Sequence, residues 1–163
     1  MKFSITSTLV SLLAIAASGV LAQDAASITA PTAGQHIAPG SNFTFSFSGR
    51  ADYGVSSYAY SVWLLNSTAV GEKVKFEDVF TNGWYFGRYD YANYPAVPYT
   101  TAPAPAELTM PDFSKAPGGW GSGKSVSNYN ASLVVIEEWA DGTGSVGRNF
   151  GFTGVHVVYN ATK

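Results

Sequence analysis

Two adjacent carboxylates and two histidines are the residues of this sequence best suited to acid–base or metal chemistry. Glu137 and Glu138 lie in a stretch with strand character, so their side chains point to opposite faces and do not act together on one bond. His36 and His156 lie in none of the spacings that bind zinc, and no G-x-S-x-G motif occurs. An enzyme that assembles distant carboxylates is the remaining catalytic alternative. We therefore predict a protein that is not an enzyme and needs no cofactor or metal ion.

Aromatic residues in two stretches, 81–105 and 111–127, are the strongest candidates for binding chemistry. Four of them are predicted to contact a ligand: Trp84, Tyr85, Tyr89 and Trp120. Flat aromatic faces stack on the apolar faces of sugar rings, and Tyr and Trp dominate the energetics of protein interfaces. The alternative is a lid, in which the same rings pack over a sheet. Both can hold, with some rings packed and others exposed.

The N-terminal segment predicts secretion. Residues 1–22 combine a positive start, an apolar run and small residues before a cleavage site at Ala22. The mature chain is then the single domain 23–163. Four N-x-[ST] sequons support the same route, with acceptors at Asn42, Asn66, Asn130 and Asn160. We expect an N-glycosylated extracellular protein, in solution or associated with a cell wall, with no membrane span.

The composition excludes several classes of protein. The 163 residues contain no cysteine, which excludes disulfides, thiol catalysis and cysteine-ligated metals. Charged residues make up only 12% and the formal net charge is −2, which excludes a basic nucleic-acid binder and a charge-driven disordered chain. The partners that remain are an extracellular protein or a cell-wall polysaccharide. The oligomeric state is left open.

The elements that must position these residues are strands. Seven short stretches show strand character: 26–30, 42–48, 57–65, 73–80, 107–110, 130–139 and 155–160. No convincing helix follows the N-terminal segment. This pattern predicts an all-β, immunoglobulin or fibronectin-III-like sandwich of about seven strands with an aromatic-rich loop insertion.

Alternation along two of these strands predicts which side chains face the core. With Trp63 buried, as in many immunoglobulin-like folds, Leu133 and Val135 point inward. The side chains of opposite parity then form a second apolar face that a lid, a second copy or a partner must cover. The residues predicted for this protein interface are Tyr60, Val62, Val134 and Ile136.

The two ends of the mature chain resemble small secreted fungal proteins. The segment Ser27–Gly34 followed by Ile37–Thr44 resembles the N-terminal module of a Ser/Thr-rich cell-wall family linked to β-glucan assembly. It is also similar to a necrosis-inducing secreted effector family, as is the closing segment Val155–Thr162. The resemblance implies a compact extracellular β-protein and supplies no catalytic residue.

These observations lead to three hypotheses. The first is an effector-like, non-enzymatic protein that acts by extracellular protein contact. The second is a cell-wall glycan-binding module that uses the loop aromatics. The third is an enzyme acting on glycans.

Overall fold

Strands, turns and loops make up the chain in the computed structural model, which describes residues 25–52, 54–66, 83–119, 123–142 and 147–161. No helix occurs in these ranges, which confirms the predicted all-β class. Within the same ranges no helix is long and apolar enough to cross a membrane. The predicted signal peptide (1–22), the predicted strand 73–80 and Trp120 lie outside the described residues.

Ten strands occur in the described ranges, and half of them are only two or three residues long. They are β1 (Ser27–Ala30), β2 (Gln35–Ile37), β3 (Asn42–Thr44), β4 (Ser46–Ser48), β5 (Ala51–Asp52), β6 (Val55–Leu65), β7 (Gly83–Asp90), β8 (Glu107–Thr109), β9 (Tyr129–Asp141) and β10 (Asn149–Tyr159). The number exceeds seven because the predicted strand 42–48 is split at Phe45 and because β2 and β5 are too short for alternation to reveal them. β10 also begins six residues earlier than predicted.

One large sheet organises the molecule. Its strand order is β2-β10-β9-β6, and β5 and β7 both pair with the remaining edge of β6. The pairing is antiparallel except between β2 and β10. Two small ribbons, β1–β4 and β3–β8, complete the set. The long strands β6 and β9 lie in the middle of the large sheet, and apolar residues on both faces are typical of such central strands.

The core lies between the ribbons and one face of the large sheet, here called the inner face. Phe43, Phe45 and Phe47 alternate along the 42–48 segment, and all three pack into or against the core. Phe45 and Phe47 contact the ring of Tyr60 on β6, with centroids 6.2 and 4.7 Å apart. The core therefore joins a ribbon to the large sheet through aromatic contacts.

The register between β6 and β9 corrects the predicted facing. Val62 lies opposite Val135 and Leu64 opposite Leu133, so these four side chains share the inner face and are fully buried. Trp63 instead lies on the opposite face, here called the outer face, directly across from Val134. Residues directly opposite on antiparallel strands point to the same side. The prediction that Trp63 is buried with Leu133 and Val135 is therefore wrong.

The predicted insertion 81–105 begins as a strand of the large sheet rather than as a loop. β7 pairs with β6 from Leu65 to Ala59, with a bulge that leaves Phe86 unpaired between Tyr85, the partner of Trp63, and Gly87, the partner of Val62. Gly87 has φ of 151°, and a Cβ there would lie 2.7 Å from the hydroxyl of Tyr89. The bulge changes which side chains face the core, so simple alternation does not reveal this strand.

Candidate functional site

The outer face carries exposed aromatic side chains at one end. Phe150 and Phe152 are 66% and 37% exposed, and the half-buried Ile136 lies directly opposite Phe152 on β9. These three residues are called the aromatic patch below. The four predicted interface residues include neither phenylalanine, although Phe150 lies in the loop 141–151 that the sequence also offers as a contact surface, and the alternation in Asn149–Thr153 was a usable signal. Two glycines, Gly151 and Gly154, made this stretch resemble a loop.

A charged cluster borders the aromatic patch. Glu138 lies opposite Phe150 and accepts hydrogen bonds from Nε and Nη2 of Arg88 at 2.6 and 2.9 Å. It also accepts one from Nη1 of Arg148 at 2.7 Å. The Arg88 guanidinium, together with Arg148, holds the pKa of Glu138 below its usual value. Asp90 also lies within electrostatic range of Arg88, so two arginines and two carboxylates share this edge of the patch.

Further along the outer face, Trp63 packs against Tyr85. Their ring centroids are 4.6 Å apart, and the indole nitrogen of Trp63 donates to the hydroxyl of Ser61 at 3.2 Å. Tyr85 is 49% exposed. The pair extends the apolar surface of the sheet beyond the aromatic patch.

The four predicted ligand-binding aromatics do not form one platform. Tyr85 lies on the outer face, whereas Trp84 lies opposite the core residue Leu64 and contacts the ring of Phe113 with centroids 5.9 Å apart. Tyr89 packs against the core beside Tyr60, and its hydroxyl donates to the carbonyl of Phe86 at 3.1 Å. Trp120 lies outside the described residues. Trp84 and Tyr85 face opposite sides because they are adjacent on the strand, and the bulge in β7 places Tyr89 on the side of Trp84 instead of that of Tyr85.

The four predicted interface residues are also divided between the two faces. Tyr60 and Val62 belong to the core, 5% and 0% exposed. Burial raises the pKa of the Tyr60 hydroxyl to about 12, and the neighbouring Tyr89 and Tyr91 add to this effect. Val134 and Ile136 do lie on the outer face, but Val134 is fully buried there. Of the four, Ile136 is the one that contributes to the aromatic patch.

The two adjacent glutamates are engaged in ion pairs. Glu137 and Glu138 point to opposite faces, as predicted: Glu137 is fully buried and pairs with Arg50, while Glu138 pairs with Arg88 and Arg148. Within the ranges that the structure describes, no three His, Asp or Glu side chains come close enough to share a metal ion.

Three of the four sequons lie at one end of the large sheet. Asn66 follows β6, Asn130 is the second residue of β9, and Asn160 follows β10. These positions coincide because Leu65 pairs with Ser132 and Tyr159 with Tyr129. This end is called the sequon end below. Asn42 lies on β3, where its amide donates to Glu107 at 3.4 Å and its carbonyl accepts from Thr109 at 2.8 Å.

A cleft lies at the opposite end of the sheet. Its volume is about 820 Å³, and it is formed by the start of β6, the end of β9 and the loop that follows β7. The lining residues are Ala51, Gly54, Val55, Ser56, Tyr58, Asn93, Tyr94, Pro95, Ala96, Ala140, Asp141 and Gly142. We call it the end cleft. Sequence reasoning missed it because its walls come from separate segments that only the sheet register brings together.

Comparisons with protein families and with curated proteins find no match for this chain. No protein-family model matches the chain, and no curated protein is significantly similar to it. The two resemblances drawn from the ends of the sequence stay predictions.

Proposed function

We propose that this chain is a secreted, N-glycosylated binding protein without enzymatic activity, built as an immunoglobulin-like sandwich, that acts by extracellular protein contact. The N-terminal segment and the sequons support secretion, and the core between the large sheet and the ribbons supports a sandwich. The contact surface is the aromatic patch on the outer face. An effector-like role follows if the partner belongs to another cell.

The observation that carries the proposal is the exposure of Phe150 and Phe152. Contiguous exposed apolar side chains on a soluble protein mark interaction sites. Aromatic and arginine side chains are also the residues that contribute most to binding at protein interfaces. Both types are present here, because the charged cluster of Arg88, Glu138 and Arg148 borders the patch.

The charges define the chemistry of the partner. Arg88 and Arg148 are each 46% exposed and Glu138 is 20% exposed, so the guanidinium groups are the charges of this cluster that a partner meets first. A partner that presents apolar side chains beside a carboxylate would match both features of this surface. Such charges orient the encounter more than they add affinity.

The double substitution Phe150→Ser with Phe152→Ser tests this assignment. We expect the wild-type protein to retain a partner from extracellular fluid, and the double variant to bind that purified partner at least about tenfold more weakly, as for the loss of a buried aromatic anchor. Surface plasmon resonance on the purified partner measures the change. Tyr99→Ser is the matched control, because Tyr99 is 87% exposed and lies on the loop after β7.

Equal binding by the double variant and the wild type would exclude the aromatic patch as the interface. Circular dichroism of each variant ensures that lost binding reflects the surface and not the fold. Retention on insoluble β-glucan or chitin that the double substitution removes would instead assign the patch to polysaccharide.

A further inference from the structure

The residues that line the end cleft do not belong to the aromatic patch proposed for protein contact. Tyr58 and Tyr94 supply two aromatic rings, and the Tyr94 side chain is 86% exposed. A ring so exposed contributes little to packing, so folding alone does not explain its place at the cleft. We propose that the end cleft binds a neutral saccharide, with Tyr94 as the ring on which the sugar stacks.

The polar groups of the end cleft suit a ligand rich in hydroxyl groups. Ser56, Asn93 and Asp141 contribute a hydroxyl, an amide and a carboxylate to its lining. Together these groups offer the mixture of donors and acceptors that sugar hydroxyls require.

The charge of the lining selects against anionic ligands. Asp141 is the one charged residue among the twelve that line the cleft, all of them in the described ranges. The nearby guanidinium of Arg148 lies 4.5 Å from the ring centre of Tyr58 and pairs with Glu138. The lining therefore offers a phosphate or sulfate group no cation to pair with. A neutral sugar needs no such cation.

The position of the cleft keeps it away from the chain's own glycans. Three sequons lie at the sequon end, whereas Val55 and Asp141 pair at the cleft end. A strand of the length of β6 spans roughly 35 Å. Sugars attached at the sequon end neither fill the cleft nor block access to it. This proposal is independent of the protein contact proposed above.

Titration with neutral trisaccharides tests the site. The probes are β-1,3-glucan, chitin and α-mannan trisaccharides, each raised to about 10 mM, a range that covers weak binding. Saturation-transfer NMR detects contact and calorimetry gives the Kd. We expect at least one probe to bind the wild-type protein. Tyr94→Ala raises that Kd by about two- to tenfold, in line with the loss of one stacked ring.

Three matched variants determine whether the sugar binds in the end cleft or at another surface of the protein. Tyr94→Trp keeps a stacking ring and is expected to keep the wild-type Kd. Tyr99→Ala removes an equally exposed tyrosine outside the cleft lining and is expected to change nothing. The Phe150→Ser/Phe152→Ser protein is also expected to bind the sugar as the wild type does.

The proposal is overturned if no trisaccharide binds, or if Tyr94→Ala binds as tightly as the wild type. It is also overturned if a proline-rich peptide binds in the cleft and the sugars do not, because tyrosine-lined grooves take such peptides too. Failure of the wild-type protein to bind any extracellular protein, with its sugar binding intact, would contradict the proposed function and leave the saccharide site standing.

Discussion

At the scale of single residues, a buried ion pair determines which side chains fit at the edge of the core. Glu137 is fully buried, and its carboxylate accepts a hydrogen bond from the backbone nitrogen of Arg50 at 2.7 Å as well as pairing with the Arg50 guanidinium. The guanidinium lies 4.9 Å from the ring centre of Trp139. A buried charge that keeps its partner and its hydrogen bonds is tolerated, whereas one that loses them is not.

Gly151 leaves the space that this ion pair occupies. It lies directly opposite Glu137 on β10, and a Cβ at this position would collide with Nη1 of Arg50. We expect Gly151→Ala to lower the free energy of unfolding by about 1–3 kcal/mol, the usual range for overpacking. Urea unfolding followed by tryptophan fluorescence measures the change.

Gly142→Ala is the matched control for this prediction. A Cβ at Gly142 would make an ordinary contact of 3.7 Å with the carbonyl oxygen of Gly54. We expect its unfolding free energy to stay within about 0.5 kcal/mol of the wild type. An equally small effect of Gly151→Ala would show that Arg50 moves aside without cost.

Residue-level reasoning predicted the facing of the two glutamates but not their partners. Adjacent strand residues point to opposite sides, so Glu137 and Glu138 separate whatever the fold. Arg50 and Glu137 are 87 positions apart, and no local pattern links them. Pairing over such a distance depends on the register of the whole sheet.

At the scale of elements, the strands that sequence reasoning identified are the ones with unbroken alternation or dense apolar content. β6 and β9 match the predicted 57–65 and 130–139 to within two residues at each end. β7 was not predicted because its bulge interrupts the alternation of apolar and polar residues and because prolines follow it in the same stretch. The prediction of which β6 side chains face the core was wrong. Alternate residues of β6 form two sets, one on each face, and both sets are apolar enough to form a core.

Glu138 connects three elements and makes stability depend on pH. It lies on β9 and holds Arg88 of β7 and Arg148 just before β10. Its pKa is lowered in the folded protein, chiefly by the hydrogen bonds from Arg88. A carboxyl with a lowered pKa stabilises the fold at pH values above its usual pKa and loses that contribution as the pH falls.

We expect Glu138→Gln to lower the unfolding free energy by about 0.5–1 kcal/mol at pH 7, a small value because both arginines are well exposed. The difference from the wild type should shrink as the pH falls from 5 to about 3, where Glu138 takes up its proton. Urea unfolding at a series of pH values measures it. Glu107→Gln on β8 is the control, and a difference that stays constant with pH would contradict the assignment.

At the scale of the whole molecule, the large sheet separates three predicted glycosylation sites from the two proposed binding sites. The sequon end carries Asn66, Asn130 and Asn160, while the end cleft and the aromatic patch lie towards the other end. This separation was not readable from the sequence, where the sequons are spread along the chain. It follows from antiparallel pairing, which brings the end of β6, the start of β9 and the end of β10 together.

A glycan moved to the cleft end tests this separation directly. Asp141→Asn completes an N-x-T sequon with Gly142 and Thr143, at the rim of the end cleft. Tyr99→Asn completes one with Thr100 and Thr101, outside the cleft lining. Both variants are produced in a host that attaches N-glycans, and mass spectrometry verifies occupancy.

We expect the glycan at position 141 to abolish trisaccharide binding, because an attached sugar chain at the rim excludes a free ligand. Removal of that glycan with a peptide-N-glycosidase, which hydrolyses the linked asparagine to aspartate, should restore binding to the wild-type level. A glycan at position 99 should leave the trisaccharide Kd unchanged. Removal of the glycans attached at the sequon end should also leave it unchanged. Undiminished binding by the glycosylated Asp141→Asn protein would show that saccharides, if they bind, do so elsewhere on the molecule.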